Sequence, residues 1–134
     1  MEDNTLKERY VELDTAKLLK EKGFNIPVSM AYDNYGIEGK IYDTFGHNNH
    51  NKHDDLISAP TQALVLKYLR ETYDIIVTVM PARDKDNYLA FMYSIIAMNE
   101  SKGEYDEVYL SGLYENLEEC TEDGIVYCFE NLVG

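Results

Sequence analysis

The alternation between helix-like and strand-like hydrophobic patterns is the feature that most restricts how this chain can fold. The stretch "ELDTAKLLKEKGFN" places Ala16, Leu18 and Leu19 on one side of a short helix. Asp14 can accept backbone N–H groups of the first turn, and Gly23 allows the left-handed conformation that ends a helix. The next stretch, "NIPVSMAYDNYGIEGKIYD", alternates apolar and polar residues on both sides of a polar turn, which predicts a β-hairpin.

A similar pair of patterns follows about fifty residues later. "SAPTQALVLKYLRETY" predicts a second helix, because Pro60 suits a first turn and the apolar residues after it recur at helical spacing. "DIIVTVMPARDKDNYLAFMYSI" predicts a second hairpin, with β-branched residues in its first strand and an almost continuous apolar run in its second. The two helix–hairpin units cover about 13–43 and 59–96.

The C-terminal part of the chain predicts one more helix and a short strand. In "EYDEVYLSGLYENLEEC", apolar residues fall three or four apart and acidic residues fill the other side, which predicts a helix over 104–120. The tail, 121–134, has strand character from Ile125 to Phe129. We therefore expect a single α+β domain over 1–134, in the order α-ββ-α-ββ-α. Its two hairpins would join in one antiparallel sheet with the helices packed on one face, a two-layer sandwich.

Charge and composition exclude several classes of function. The net charge of −13 comes from 25 acidic and 12 basic residues, and a field of that sign repels nucleic acid and anionic membranes. The negative charge remains compatible with a basic protein partner, or with a role in solubility alone. No apolar run reaches the roughly 18 residues of a membrane span, and Cys120 and Cys128 form neither a disulfide framework nor a zinc ligand set. We expect a cytoplasmic protein.

The stretch "FGHNNHNKHDD" contains every histidine of the chain and is the candidate metal site. Its histidines are His47, His50 and His53. Imidazole is a common ligand for zinc, nickel and copper, so this stretch could form a metal-binding module or a small metal-dependent hydrolase. Helical metal pairs use a spacing of i and i+4, however, whereas the interval here is three, and the intervening residues favour no helix. The alternative, a solvated loop over 44–57, is the favoured interpretation.

The other candidate contact residues are aromatic. Tyr32, Tyr35 and Tyr42 gather on the first predicted hairpin, where they could form an interface or simply pack. The chain has no G-x-S-x-G elbow, P-loop or G-x-G-x-x-G motif, and no histidine near either cysteine in sequence. We therefore expect no catalytic residues, no cofactor and no enzymatic activity.

The stretches "ELDTAKLLKEKGF", "SAPTQALVLKYLRETYDI" and "EYDEVYLSGLYENLEE" resemble small uncharacterised proteins from tailed phages and prophages of gut Bacteroidetes. The resemblance covers roughly Val11 to Cys120, and its motifs are helix caps, core positions and a helix start, so it implies no site residues. Ser111 and Gly112 interrupt the last motif, and the tail beyond Cys120 is longer than is usual for such proteins.

The resemblance and the acidity together predict a function by protein contact. A phage protein of this kind would act in the host cytoplasm, as an inhibitor of a basic host protein for example, either as a monomer or as a homo-oligomer. A minor structural component of the virion is a further alternative that the resemblance leaves open.

Overall fold

The computed structural model describes residues 9–35 and 39–134. The elements within them are α1 (Leu13–Glu21), β1 (Val28–Asp33), β2 (Ile41–Asn48), a 3₁₀ turn (His50–Lys52), β3 (Leu56–Ser58), α2 (Gln62–Tyr73), β4 (Ile75–Arg83), β5 (Leu89–Asn99), β6 (Glu104–Leu110) and α3 (Leu117–Asn131). The α+β class is confirmed, and so is the alternation of helices with hairpins. Part of the first predicted hairpin, residues 36–38, lies outside the described residues.

The strands form two separate antiparallel sheets, so the prediction of one sheet from two hairpins is wrong. The first sheet has the order β2-β1-β3 and the second the order β4-β5-β6. A lone hairpin is marginal in water and needs a further strand or a packed helix. Each hairpin pairs with a third strand that follows it directly in sequence, β3 in the first sheet and β6 in the second. Neither hairpin therefore has to pair with the other.

The first of two compact units comprises, among the described residues, 9–35 and 39–63 together with Gly134. Its central strand, β1, pairs with both β2 and β3, and α1 contacts β3. Its core contains the fully buried side chains of Val11, Leu19, Phe24 and Ile57. The helix α1 begins after Glu12, which makes no side-chain cap bond, and Gly23 follows it with a φ of +88° as the sequence predicts.

The predicted loop over 44–57 has defined secondary structure, because polar side chains bond its backbone. The Asn51 side chain donates to the Phe24 carbonyl at 2.9 Å and accepts from the Ser58 N–H at 2.8 Å. Lys20 Nζ lies 2.6 Å from the carbonyl oxygens of both His53 and Leu56. The polar composition that predicted a solvated loop thus supplies the hydrogen bonds that hold the turn and β3 in place.

The second compact unit comprises residues 64–133. Strands β4 and β5 pair continuously, from Ile75 opposite Ala97 to Arg83 opposite Leu89. Helix α3 packs on both strands. A Cβ atom at Gly124 would lie 3.0 Å from Val77 Cγ1 and 3.4 Å from the Tyr93 ring, so glycine is what permits this close approach.

The predicted final helix over 104–120 is wrong, as is the strand predicted for the tail. Residues 104–110 form β6, and the helix lies at 117–131 instead. Spacing of three and four suited a helix over 104–120, but β5 offers β6 an edge for pairing, which no local pattern reveals. In α3 the buried residues Cys120, Gly124, Cys128 and others recur at helical spacing. The side chain of Asn116 caps this helix, accepting from the Glu119 N–H at 3.0 Å.

Within the described residues, no helix is both long enough and apolar enough to span a membrane.

Candidate functional site

The three histidines of the candidate metal site are not brought together. His50 is only 4% exposed, whereas His47 and His53 lie on the surface. The His50 Nε2 atom lies 3.1 Å from Thr44 Oγ1, and that hydroxyl donates to the Ser29 carbonyl at 2.7 Å. Across residues 9–35 and 39–134, no group of three or more His, Cys, Asp or Glu side chains could hold a metal ion. The contacts of His50 are those of a packed side chain that supports the end of β2.

The tyrosines of the first hairpin do not share one surface. Tyr32 is 7% exposed, and its hydroxyl donates to the Val11 carbonyl at 2.7 Å. Tyr42 pairs with Ala31 across the strands, so Tyr42 lies on the opposite face of the sheet from Tyr32. Burial, followed by the charges of nearby aspartates, raises the pKa of Tyr42. Tyr35 is 75% exposed beyond the end of β1.

The largest concentration of exposed apolar side chains among the described residues lies in β6 and in the segment just after it. Among the described residues, twelve large apolar or aromatic side chains are exposed, and half of them lie within 105–117. These six, which we call the β6 surface, lie on both faces of β6 and in the segment that follows it: Tyr105, Val108, Tyr109, Leu110, Leu113 and Leu117. Isolated exposed apolar residues are ordinary on any protein, but a concentration of them indicates a contact region.

Acidic residues surround the β6 surface along the chain. Residues 104–119 contain Glu104, Asp106, Glu107, Glu115, Glu118 and Glu119, and no Lys, Arg or His. Glu107 accepts from Ser94 Oγ at 2.8 Å, and Asp106 accepts from the Asn99 side chain at 2.8 Å. Glu104 and Glu115 are exposed. The stretch therefore combines apolar contact area with a uniformly negative charge.

Packed tyrosines support this stretch from the side of α3. The ring of Tyr109 stacks on Tyr127 with centroids 4.0 Å apart and lies 5.7 Å from Tyr93. Burial raises the pKa of Tyr93. Burial, together with the hydrogen bond that the Tyr114 hydroxyl donates to Asp123, raises the pKa of Tyr114 to about 12. These hydroxyls stay protonated at neutral pH, so they act in packing and hydrogen bonding rather than as bases.

The two cysteines are structural. Both side chains are fully buried, and burial raises the pKa of Cys120 to about 11 and that of Cys128 to about 12. The thiolate is the nucleophilic form, and it is suppressed at neutral pH in such surroundings. Neither cysteine is therefore suited to nucleophilic catalysis.

The β6 surface was missed because residues 104–120 were assigned to a helix with an acidic outer side. One signal could have found it. Val108, Tyr109 and Leu110 are three consecutive apolar residues, and a single helical stripe cannot bury three neighbours together. Ser111 and Gly112, which follow directly, are weak helix formers and indicate where the element ends.

Comparison of the chain with protein-family models, with curated proteins and with solved structures finds no match in any of the three. The resemblance to small phage proteins therefore stays a prediction.

Proposed function

We propose that this chain is a non-enzymatic protein-binding module that contacts a basic partner protein through the β6 surface. The observation that carries the proposal is the coincidence of two properties in residues 104–119. Half of the large apolar side chains that are exposed among the described residues are there, and so are six acidic residues without a basic one. Protein interfaces combine an apolar centre with a polar rim, and complementary charge guides the encounter.

Solubility alone would account for the acidity but not for the apolar side chains. A net charge of −13 keeps a protein of 134 residues dispersed wherever its acidic groups lie. Exposed leucines and tyrosines oppose that effect, since they favour association. Their position beside the acidic groups fits a surface that attracts a basic protein and then buries apolar area against it.

The resemblance to phage proteins gives this proposal a biological setting. In that setting the partner would be a basic protein of the bacterial host, and occupation of its surface would inhibit it. This part rests on the sequence resemblance and the charge alone.

The test is affinity capture from host lysate with two charge-matched double variants. Glu104→Lys with Glu115→Lys removes acidic groups that neighbour the β6 surface along the chain, whereas Glu21→Lys with Glu130→Lys makes the same change of net charge at exposed positions elsewhere. We expect capture of basic proteins to fall about tenfold in the first variant and less than about twofold in the second. Capture by the unmodified chain should also weaken between about 0.1 M and 1 M salt, as the Debye length shortens from about 10 Å to 3 Å.

Equal capture by both double variants would overturn the assignment to the β6 surface. Capture that is absent, or indifferent to salt, would overturn the proposal of a basic partner. Quantitative mass spectrometry of the bound fraction distinguishes these outcomes.

A further inference from the structure

The strand β6 has one side along which no described strand is paired. It bonds to β5, and the sheet order β4-β5-β6 places it at the edge. Every residue from Glu104 to Leu110 is exposed except Asp106, which is half-buried. An edge strand presents N–H and C=O groups that can pair with an added strand.

The hydrogen-bond pattern identifies one residue whose backbone groups point to that open side. Ser111 donates its N–H to the Tyr93 carbonyl at 2.9 Å, and Leu110 is paired with Ser94. In an antiparallel ladder, hydrogen-bonded pairs alternate with non-hydrogen-bonded pairs. Leu110 and Ser94 therefore form a non-hydrogen-bonded pair, and the N–H and C=O groups of Leu110 point away from β5.

The two edges of this sheet differ in how open they are to pairing. The other edge, β4, contains Pro81, which has no N–H to donate and so blunts that edge. The strand β6 contains no proline. It does carry a bulge, where the pairing passes from Tyr109 opposite Ile95 to Glu107 opposite Ile96 and leaves Val108 as the extra residue, so this edge is irregular at one position.

Charge decides what can pair with this edge. A second copy of the chain that paired antiparallel about the centre of β6 would set Glu107 against Glu107, with Asp106 beside both. Paired residues lie about 5 Å apart, and like charges directly opposite each other destabilise a sheet. A strand with lysine or arginine at these positions would place opposite charges there instead.

We propose that β6 binds an extended segment of its partner as an added β-strand, and that this segment alternates basic with apolar residues. The register places Glu104 and Asp106 on one face of the sheet and Tyr105 and Leu110 on the other. The basic side chains would lie on the first face and the apolar side chains on the second. Main-chain hydrogen bonds hold the segment, and side-chain charge selects it, as in other complexes formed by strand addition. The inference rests on the proposed function and adds to it the mode of recognition.

The probe is a blocked peptide as long as β6 that alternates lysine with valine. A second peptide has the same sequence with every backbone nitrogen methylated, so it keeps the charges but cannot donate main-chain hydrogen bonds. A third has glutamate in place of lysine. We expect the first peptide to bind by isothermal calorimetry and the methylated peptide to bind at least about tenfold more weakly, because several hydrogen bonds are lost. The glutamate peptide should not bind.

A pair of variants tests the same bonds from the side of the protein. Leu110→Pro removes an outward N–H without removing a bond to β5, and proline is tolerated at a sheet edge. Leu110→Ala shortens the same exposed side chain but keeps the N–H, so it is the matched control. We expect the proline variant to weaken binding of the lysine–valine peptide about tenfold and the alanine variant less than about threefold. Circular dichroism confirms that each variant is folded.

Equal binding of the methylated and unmethylated peptides would overturn strand addition while leaving a charge-driven protein contact in place. Failure of the lysine–valine peptide to bind would also overturn it, and the capture experiment with the charge-matched variants would then judge the proposed function separately. If Leu110→Pro does not fold, the methylated peptide decides the question alone.

Discussion

The two three-stranded sheets are built from the same kind of hairpin but obtain their third strands by different means. In the sheet β2-β1-β3, the short strand β3 is held partly by single polar side chains, above all Asn51 and Lys20. In the sheet β4-β5-β6, six of the seven residues of β6 pair with β5, and α3 packs against β4 and β5. The comparison teaches that the third strand of a sheet can be held through a few localised side-chain bonds or through longer strand pairing in a sheet that a helix covers.

The difference predicts where each unit is vulnerable. A few side-chain bonds concentrate stability in single residues, so one substitution removes a large share of it. Packing spreads stability over many contacts. Losing one contact therefore lowers the free energy of unfolding less than changing the volume of the interface does.

The largest effect is expected from Asn51→Ala in the first unit. It removes both hydrogen bonds of the Asn51 side chain and leaves the Phe24 carbonyl and the Ser58 N–H without that partner. We expect the free energy of unfolding to fall by about 2 kcal/mol, since two hydrogen bonds are lost and each contributes about 1 kcal/mol. Urea denaturation measures the loss, and amide exchange should accelerate more in β3 than in β5.

The matched control is Asn48→Ala, because Asn48 is an exposed asparagine on β2 of the same unit. It should change the free energy of unfolding by less than about 0.5 kcal/mol. If Asn48→Ala and Asn51→Ala lowered the free energy of unfolding equally, the view that single polar side chains hold the first sheet would be wrong.

The next largest effect is expected from Gly124→Ala in the second unit. The added Cβ would lie 3.0 Å from Val77 Cγ1, so α3 or β4 must shift. Overpacking costs about 1–3 kcal/mol, and the better helix propensity of alanine offsets up to about 1 kcal/mol of that. We expect thermal or urea unfolding to show a net loss of about 1–2 kcal/mol.

Gly112→Ala is the control, because a Cβ atom there would meet nothing within 4 Å. It should be neutral to within about 0.5 kcal/mol. A stabilising Gly124→Ala would mean that helix propensity outweighs packing at this contact, which would contradict the role given to Gly124.

The smallest effect depends on pH and belongs to the second unit, since residues 1–63 contain no cysteine. Burial raises the pKa of Cys128 from 9.0 to about 12. The folded state therefore keeps a proton that the unfolded chain loses above about pH 9, so this stability is fully present below that pH and falls as the pH rises. We expect Cys128 to account for about 1 kcal/mol of lost stability between pH 8 and pH 10.

Urea unfolding of the unmodified chain and of Cys128→Ala at both pH values measures this contribution. The variant should be less stable at pH 8 because it loses buried volume, yet its stability should fall less toward pH 10. An equal fall in both proteins would show that the thiol does not titrate differently in the folded and unfolded states.

Local pattern was a reliable guide where an element needed no distant partner. The helices α1 and α2 and the strands β4 and β5 lie close to where periodicity predicts them, and Gly23 has the left-handed conformation expected at the end of α1. The candidate histidines and tyrosines were chosen by residue type alone, and residue type does not say which side chains converge. His50 and Tyr32 are buried for structural reasons, and the β6 surface appeared only once its residues formed a strand.

By itself, then, the sequence determined the α+β class, the alternation of helices with hairpins and the strongly acidic charge, because each depends on local periodicity or on composition. The tertiary structure decided that residues 104–110 form a strand, that α3 lies at 117–131, and that the strands divide between two sheets. Strand pairing joins residues distant along the chain, so an edge such as that of β5 can override a helical spacing. The conformation of the polar stretch 50–58 also depends on tertiary contacts, since its hydrogen-bond partners Lys20 and Phe24 are distant in sequence.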